Sequence, residues 1–421
     1  AQWPTSYLTP RILSTGADVR AGNILARPDG GVIACFDTYD GATRKLALSK
    51  FDASGNTALS GTLYQLGYKG VKLQVLPPDR PDRLCNVITT HARSSVDTDV
   101  RTYVYQRFEL NGHWSLANYP ARMTFEAAIS NTDGSNHIVA YNPWDGLINV
   151  RKNDGNSQPD LALNGERARD FFIAESRPGQ SLVAFTKHSP QPETPGQIWL
   201  FPFYGLSSPP TNGTAVRAQN QGDEWQSKAR IVDLGHNRNM ITWIGTLNSR
   251  NRLYAKVVND IGGEISAARV VLQDVVDYVT TGSTLGVPVI AGVQRVTVGG
   301  TTADTLFGGL IDAENGLALT LPQVNAPGVK VKDLRQEANG DFTLAYSIPE
   351  NGTNLLKIRR ISVATIGTLW ETTVADLGVA SDDVIERSPN VFISGGASGV
   401  LYIMSRNDHP GSNISSIALA R

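Results

Sequence analysis

Cationic side chains recur along this chain at a nearly constant distance before a series of short apolar runs. Lys and Arg groups bind carboxylate, sulfate and phosphate, and a ring of them around one opening would focus a positive potential there. A cation stands about 12 to 16 residues before seven of the eight runs: Arg20, Lys72, Arg122, Arg169, Lys228, Lys330 and Arg387. Acidic residues near several of them (Asp18, Glu166, Glu224, Asp382 and Asp383) support a second interpretation, in which these cations form structural ion pairs between repeats.

A second set of residues follows the apolar runs, where the chain is predicted to turn. Its candidate ligand contacts are Tyr39, His91, Trp144, His188 and His409. Aromatic faces stack on sugar rings, and neighbouring polar groups bond to hydroxyls, so this set predicts a glycan-binding surface. Trp144 lies in the turn sequence NPWDG and is predicted to be exposed, whereas Tyr141 and Trp243 lie within strand patterns and are predicted to be core residues.

Signatures of catalysis are missing from the sequence. There is no GxSxG, HExxH or P-loop motif and no Cys/His spacing for zinc, so we predict no metal and no cofactor and leave the catalytic residues unassigned. A polysaccharide lyase is the enzymatic alternative. His91 or His188 would be its base, and Lys72, Arg122 or Arg169 would neutralise a uronate carboxylate.

The apolar runs are the elements that must position these residues. They begin at Val32, Val87, Ile138, Leu182, Met240, Val289, Phe342 and Val400, with a mean spacing of about 53 residues. Each is preceded by an inner strand and followed by a second alternating run, a turn and a shorter outer run, which together are the pattern of a four-stranded propeller blade. We therefore predict an all-β, eight-bladed β-propeller forming a single domain over residues 1–421. Seven blades is the alternative, because residues 274–326 fit the pattern least well.

The two ends of the chain complement each other. The last unit ends with its third strand at Arg421, while residues 6–15 read like the fourth strands of internal units. The N-terminal strand is thus expected to close the last blade, which removes the exposed edges of an open array.

The amino-acid composition limits the kinds of partner that this protein is expected to bind. The 38 basic and 39 acidic residues give a net charge of −1, so no global basic field for nucleic acid is expected, and no run is long and apolar enough to predict a transmembrane segment. The two cysteines, Cys35 and Cys85, are predicted to be buried thiols.

Residues 22–56, GNILARPDGGVIACFDTYDG with LALSKFDASGN, resemble repeats of bacterial secreted and surface proteins. In those repeats a DGG-strand element precedes an RFDA-x-GN turn, and kelch-like delta-60 repeats are similar. The resemblance implies a secreted or cell-surface propeller, often a module of an adhesin or exoenzyme, and brings no catalytic residues.

In a propeller, the loops into the inner strands and the loops between second and third strands lie on one face around the mouth of the central channel, here called the channel-mouth face. The first functional hypothesis is an exported glycan-binding or adhesion module that takes polysaccharide or a glycoconjugate, including anionic polysaccharide, on this face. The second is a polysaccharide-degrading lyase that uses the same face. The third is a structural protein that self-associates or binds a protein partner. The sequence does not decide whether the protein is an enzyme.

Overall fold

The computed structural model describes the chain except for residues 1–2, 4–5, 7, 17–21, 40–43, 67–71, 92–100, 109–113, 120–121, 153–159, 192–194, 208–210, 220–222, 315, 322, 379–390, 396–400, 409–414 and 421. All regular elements in the described residues are β-strands, so the fold is all-β. No helix that could span a membrane occurs in the described part.

Seven sheets are each built from consecutive strands, and we number them as blades 1 to 7 along the chain. The strands of blades 1 to 3 are β2 (Gly22–Ala26), β3 (Val32–Tyr39), β4 (Arg44–Phe51) and β5 (Thr57–Leu66); β6 (Lys72–Leu76), β7 (Arg83–His91), β8 (Arg101–Phe108) and β9 (Trp114–Asn118); and β10 (Thr124–Ser130), β11 (Asn136–Asn142), β12 (Leu147–Lys152) and β13 (Leu161–Ala162).

In blades 4 and 6 two short strands share the outer position. The strands of blades 4 and 5 are β14 (Arg167–Arg177), β15 (Gln180–His188), β16 (Gln197–Tyr204), β17 (Thr211–Asn212) and β18 (Val216–Arg217); and β19 (Trp225–Gly235), β20 (Arg238–Leu247), β21 (Arg250–Val258) and β22 (Arg269–Gln273). Those of blades 6 and 7 are β23 (Val275–Thr281), β24 (Val289–Val298), β25 (Thr301–Asp312), β26 (Gly316–Thr320) and β27 (Val324–Asn325); and β28 (Lys330–Gln336), β29 (Phe342–Glu350), β30 (Thr353–Ile361) and β31 (Thr368–Asp376).

A further sheet, the closing sheet, joins the two ends of the chain. Strand β1 (Arg11–Gly16) pairs antiparallel with β34 (Ser415–Ala420), which pairs with β33 (Leu401–Asp408) and then β32 (Val391–Gly395). The prediction of an eight-bladed propeller is therefore wrong, although the N-terminal strand does pair with the last strand of the chain as expected. Seven consecutive blades, the number given as the alternative, are completed by one composite sheet, because the last apolar unit supplies only three strands and takes its fourth from the N-terminus.

The first strand of each blade is the innermost one. Neighbouring first strands contact each other from β2 through β6, β10, β14, β19 and β23 to β28, and β2 also contacts β32 and β33. Residues from blade 7 and the closing sheet share one apolar cluster, so the ring is closed. The sheets twist and stack face to face, which makes the molecule a β-propeller with an apolar core between successive sheets. Cys35 and Cys85 are buried in one such cluster, as predicted.

One five-residue turn recurs on the face opposite the channel mouth. In each copy the first amide donates to the fifth carbonyl, and the amide of a glycine at the fourth position donates to the first carbonyl. The copies are residues 27–31, 52–56, 131–135, 259–263 and 337–341. Their fourth residues, such as Gly30 and Gly55, have positive φ, a conformation that glycine adopts without a steric penalty. The DGG and DASGN motifs are therefore turn signals.

A β-bulge interrupts the first strand in blades 3 to 7. The pairing with the second strand shifts between Phe125 and Ala127 in β10, and at comparable heights in β14, β19, β23 and β28. A bulge adds a residue without a cross-strand partner and changes the direction in which nearby side chains point. These bulges lie near the channel mouth, so they determine which of the predicted cations face it.

Candidate functional site

The predicted cations do not form a single layer. Arg169 lies opposite Thr186 and Lys330 opposite Ser347, whereas Arg122 precedes its strand and Lys228 lies within a bulge. The side chains of Lys72 in β6 and Tyr39 in β3 are outside the described part, as are residues Arg20, Arg387 and His409 altogether.

Lys228 fits the structural interpretation of the cations. Its Nζ lies 3.0 Å from Asp277 Oδ1 and 3.2 Å from the Val276 carbonyl oxygen, both in the next blade. The Tyr278 hydroxyl in turn donates to the Lys228 carbonyl at 2.6 Å. Lys228 therefore ties blade 5 to blade 6, and its charge is neutralised by Asp277.

Arg169 and Lys330 are exposed cations on the same face. Arg169 Nε lies 3.9 Å from Asp170 Oδ2, its neighbour in sequence, and both side chains are well exposed. Lys330 is exposed at the first position of β28 and has no ion pair with any residue in the described ranges. Neither cation is held between blades in the manner of Lys228.

Arg122 packs on Trp144, another residue of the predicted site. The Arg122 guanidinium carbon lies 5.6 Å from the centre of the Trp144 ring, which is cation–π distance. Both side chains are exposed, and Trp144 retains 68% of its surface. Arg122 has φ 64°, a left-handed conformation that costs an arginine about 1 kcal/mol or more. No ion pair holds it among the described residues.

The turn that carries Trp144 is rigidly bonded. Asn142 Oδ1 accepts the Trp144 amide at 2.9 Å and the Asp145 amide at 3.2 Å, and Asn142 Nδ2 donates to Asp145 Oδ2 at 2.8 Å. The Gly146 amide closes the turn on the Asn142 carbonyl at 3.0 Å. A turn backbone fixed in this way loses little entropy on binding, which favours contact between its exposed indole and a ligand.

Tyr141 is a core residue below this pair, as predicted, and Trp243 is likewise buried. The Tyr141 hydroxyl accepts the Ala168 amide at 3.0 Å across the boundary between blades 3 and 4. Burial raises the pKa of Tyr141, and charges on Arg167 and Glu126 act on it as well. Neither Glu126 nor Arg167 was among the predicted site residues. Their positions near the starts of the first strands of blades 3 and 4 are the sequence signal that would have indicated them.

The two candidate histidines that lie in the described part differ in solvent access. His91 was predicted in a loop, but it is the last residue of β7 and has no exposed surface. Its ring stacks on Tyr103 at 4.4 Å, and Nε2 lies 3.2 Å from the Tyr105 hydroxyl. His188 ends β15, is half-buried, and has Nδ1 2.9 Å from the Ser189 carbonyl. Of the two, only His188 reaches solvent on the mouth face.

Among the described residues, no group of three or more His, Cys, Asp or Glu side chains is arranged to hold a metal ion. The geometry defines the class: a β-propeller whose channel-mouth face presents a rigid tryptophan and an adjoining arginine. No protein-family model matches this chain, and no curated protein matches it significantly.

Solved structures of similar shape are distant. The chain is similar to Chaetomium thermophilum Sqt1 bound to the N-terminus of a ribosomal protein, with 13% identity, TM-score 0.49, and coverage of 98% of this chain and 100% of that one. It is also similar to polysaccharide lyase Uly1, with 10% identity, TM-score 0.49, and coverage of 86% of this chain and 91% of that one. A third similar structure is Penicillium chrysogenum alpha-L-arabinanase complexed with arabinobiose, with 10% identity, TM-score 0.42, and coverage of 99% of this chain and 98% of that one. At these values no ligand, partner or activity is transferred.

Proposed function

We propose that this protein binds a glycan on the mouth face of blade 3, with Trp144 stacking on a sugar ring and Arg122 contacting a carboxylate or sulfate group. The observation that carries the proposal is the exposed, rigidly held Trp144 with an arginine against its ring. A guanidinium packed on an indole keeps its N–H edge available, so the pair offers an apolar plate and a charged donor side by side.

Backbone strain supports the proposal. Arg122 keeps a left-handed conformation that glycine or asparagine would adopt more easily. Strained residues concentrate at functional sites, where the strain is tolerated because the side chain is needed. Asp170 and Lys228 share the conformation near the starts of β14 and β19. The Lys228 side chain is used in inter-blade contacts, whereas the Arg122 side chain lies exposed on the Trp144 ring.

Binding without turnover is the form of the proposal that we favour. A lyase needs a base that reaches the substrate. Complete burial removes His91 from this role, so His188 is the predicted base that is left for the lyase alternative, and the absorbance measurement below tests it. The proposed location of the protein is outside the cell or on its surface, as the repeats of residues 22–56 led us to expect. Fractionation of the native host with an antibody would test the location separately.

The test is a panel of neutral, uronic-acid and sulfated glycans, scored for binding at two salt concentrations and for new ultraviolet absorbance from unsaturated uronate. We expect salt-sensitive binding to acidic glycans without new absorbance. Trp144→Ala and Arg122→Gln should each weaken it about tenfold or more.

Trp370→Ala is the matched control. Trp370 is an exposed tryptophan 5.7 Å from the Arg360 guanidinium carbon, but it lies on the outer strand of blade 7. Its replacement should leave binding unchanged. If no glycan binds, or if Trp144→Ala binds like the wild type, the proposed site is wrong.

A further inference from the structure

A second tryptophan flanked by cations lies at the boundary between blades 3 and 4. In β16, Trp199 has the Lys187 Nζ 4.3 Å from its ring centre and the Arg217 guanidinium carbon 5.7 Å away. The three residues project from the same side of the sheet, because Trp199 pairs with Phe185, two residues before Lys187, and with Arg217. Arg217 is exposed and Trp199 is partly exposed.

This side of blade 4 faces blade 3. Trp199 packs against a cluster that contains Tyr141 and Val150 of blade 3 together with Phe185 and Phe201 of blade 4. Tyr141 is three residues before Trp144 in the same strand and turn. The two tryptophans therefore belong to one inter-blade boundary.

A continuous series of contacts connects the two tryptophans. Gly146, two residues after Trp144, lies against Glu166, so closely that a Cβ at position 146 would be 2.9 Å from the Glu166 carbonyl oxygen. The Glu166 carboxylate forms an ion pair with Lys187, which lies over the Trp199 ring. Only a glycine allows this approach, and its φ of 63° also favours glycine.

The geometry points to a binding surface that continues from Trp144 along this boundary to Trp199, so that the ligand is an internal stretch of an acidic polysaccharide chain and not a single terminal sugar. This inference rests on the proposed function. Each tryptophan has a cation at its ring, so acidic groups on separate sugars would meet Arg122 at one end and Arg217 at the other. The Glu166–Lys187 pair between them supplies hydrogen-bonding groups for hydroxyls.

The length of chain needed for full affinity tests the inference. We would measure binding of uronic-acid and sulfated oligosaccharides, each from disaccharide to octasaccharide, to the wild-type protein and to Trp199→Leu, Arg217→Gln and Trp144→Ala. Leucine at 199 keeps an apolar side chain against the inter-blade cluster, and unchanged thermal unfolding confirms folding of each variant. Comparing the two series shows whether carboxylate or sulfate supplies the acidic group.

For the wild type we expect affinity to rise with length until both tryptophans are reached. Trp199→Leu and Arg217→Gln should reduce the affinity for long oligosaccharides about tenfold and leave that for disaccharides unchanged. Trp144→Ala should weaken binding at every length, and Trp370→Leu, the matched control, at none.

The outcomes separate the two proposals. If disaccharides bind as tightly as octasaccharides and Trp199→Leu has no effect, the extended surface is wrong while the site at Trp144 stands. If no oligosaccharide of any length binds to the wild-type protein, the proposed function fails and the extension fails with it.

Discussion

His137 Nδ1 lies 2.6 Å from Ser181 Oγ across the boundary between blades 3 and 4. Both side chains have no exposed surface, and the other ring nitrogen, Nε2, is 3.4 Å from Ser135 Oγ. The Phe203 ring packs edge-on against the imidazole at 4.8 Å. Burial lowers the pKa of His137 to about 4, although the charge of Asp133 acts in the opposite direction and Lys152 in the same one.

This histidine should make stability depend on pH. Between pH 6.5 and 4 the unfolded chain takes up a proton at His137 while the folded protein does not, so acid favours unfolding in this window. The contribution of neutral, buried His137 to the free energy of unfolding is complete above pH 6.5 and falls by about 3 kcal/mol toward pH 4. Urea unfolding at a series of pH values would measure it.

The matched variant for this measurement is His137→Asn, because asparagine does not titrate but still bonds to Ser181. It should be less stable at pH 7 and have a shallower dependence of unfolding free energy on pH between 4 and 6.5. Identical slopes for the variant and the wild type would show that other groups cause the acid sensitivity.

A second prediction concerns Gly245, which lies against the buried Glu224 carboxylate. A Cβ at position 245 would overlap that carboxylate, whose Oε1 accepts the Tyr254 hydroxyl at 3.0 Å. Burial raises the pKa of Glu224. Gly245→Ala should therefore cost about 2 kcal/mol by overpacking.

The effect of Gly245→Ala should depend on Glu224. In the double variant with Glu224→Ala the clash is gone, so adding Gly245→Ala should cost much less than it does in the wild type. Chemical denaturation of the four proteins in the cycle would give the coupling free energy. Additive effects would mean that the backbone at 245 moves aside without cost.

The blades could be predicted from the sequence because alternation and turn chemistry are local. Val32, Val87 and Phe342 each lie in the second strand of a blade and are buried. The turns at residues 27–31 and 52–56 follow from a Gly at the fourth position and an Asp within the turn, since Asp29 and Asp52 accept amides of their own turns. Trp144 in a turn was correctly predicted to be exposed.

The heights of the cations could not be predicted in the same way. A bulge adds a residue to the first strand and sets its buried positions three residues apart, as at Val331 and Leu334 of β28. Counting back from the second strand ignores this extra residue, so it placed Lys228 and Lys330 in one ring although their pairing differs. His91 could have been placed correctly. It continues the alternation of Val87 and Thr89, whose face of β7 is buried.

Closure of the ring should depend on Trp3. Its ring centre lies 5.3 Å from that of Tyr402 in the closing sheet and 5.8 Å from that of Phe51 in blade 1, and its Nε1 donates to the Ala53 carbonyl at 3.1 Å. Arg11 of β1 lies over both Trp3 and Phe51. Trp3→Ala should cost about 3 kcal/mol, measured by urea unfolding.

Leu8→Ala provides the control for Trp3→Ala, because Leu8 lies in the same segment but retains 72% of its surface. It should change stability by less than about 0.5 kcal/mol. A loss of similar size in both variants would assign the effect to the segment as a whole and contradict the specific role of the Trp3 ring.

The strain at Arg122 allows stability and binding to be separated. Replacing Arg122 with alanine removes the contact with Trp144 but leaves the left-handed φ of 64° in place, whereas glycine removes the contact and the strain together. We therefore expect Arg122→Gly to be about 1 kcal/mol more stable than Arg122→Ala in urea unfolding, with both variants losing the binding of acidic glycans. A glycine variant that bound normally would show that the strained backbone is kept for its conformation, and that the guanidinium has no part in the site.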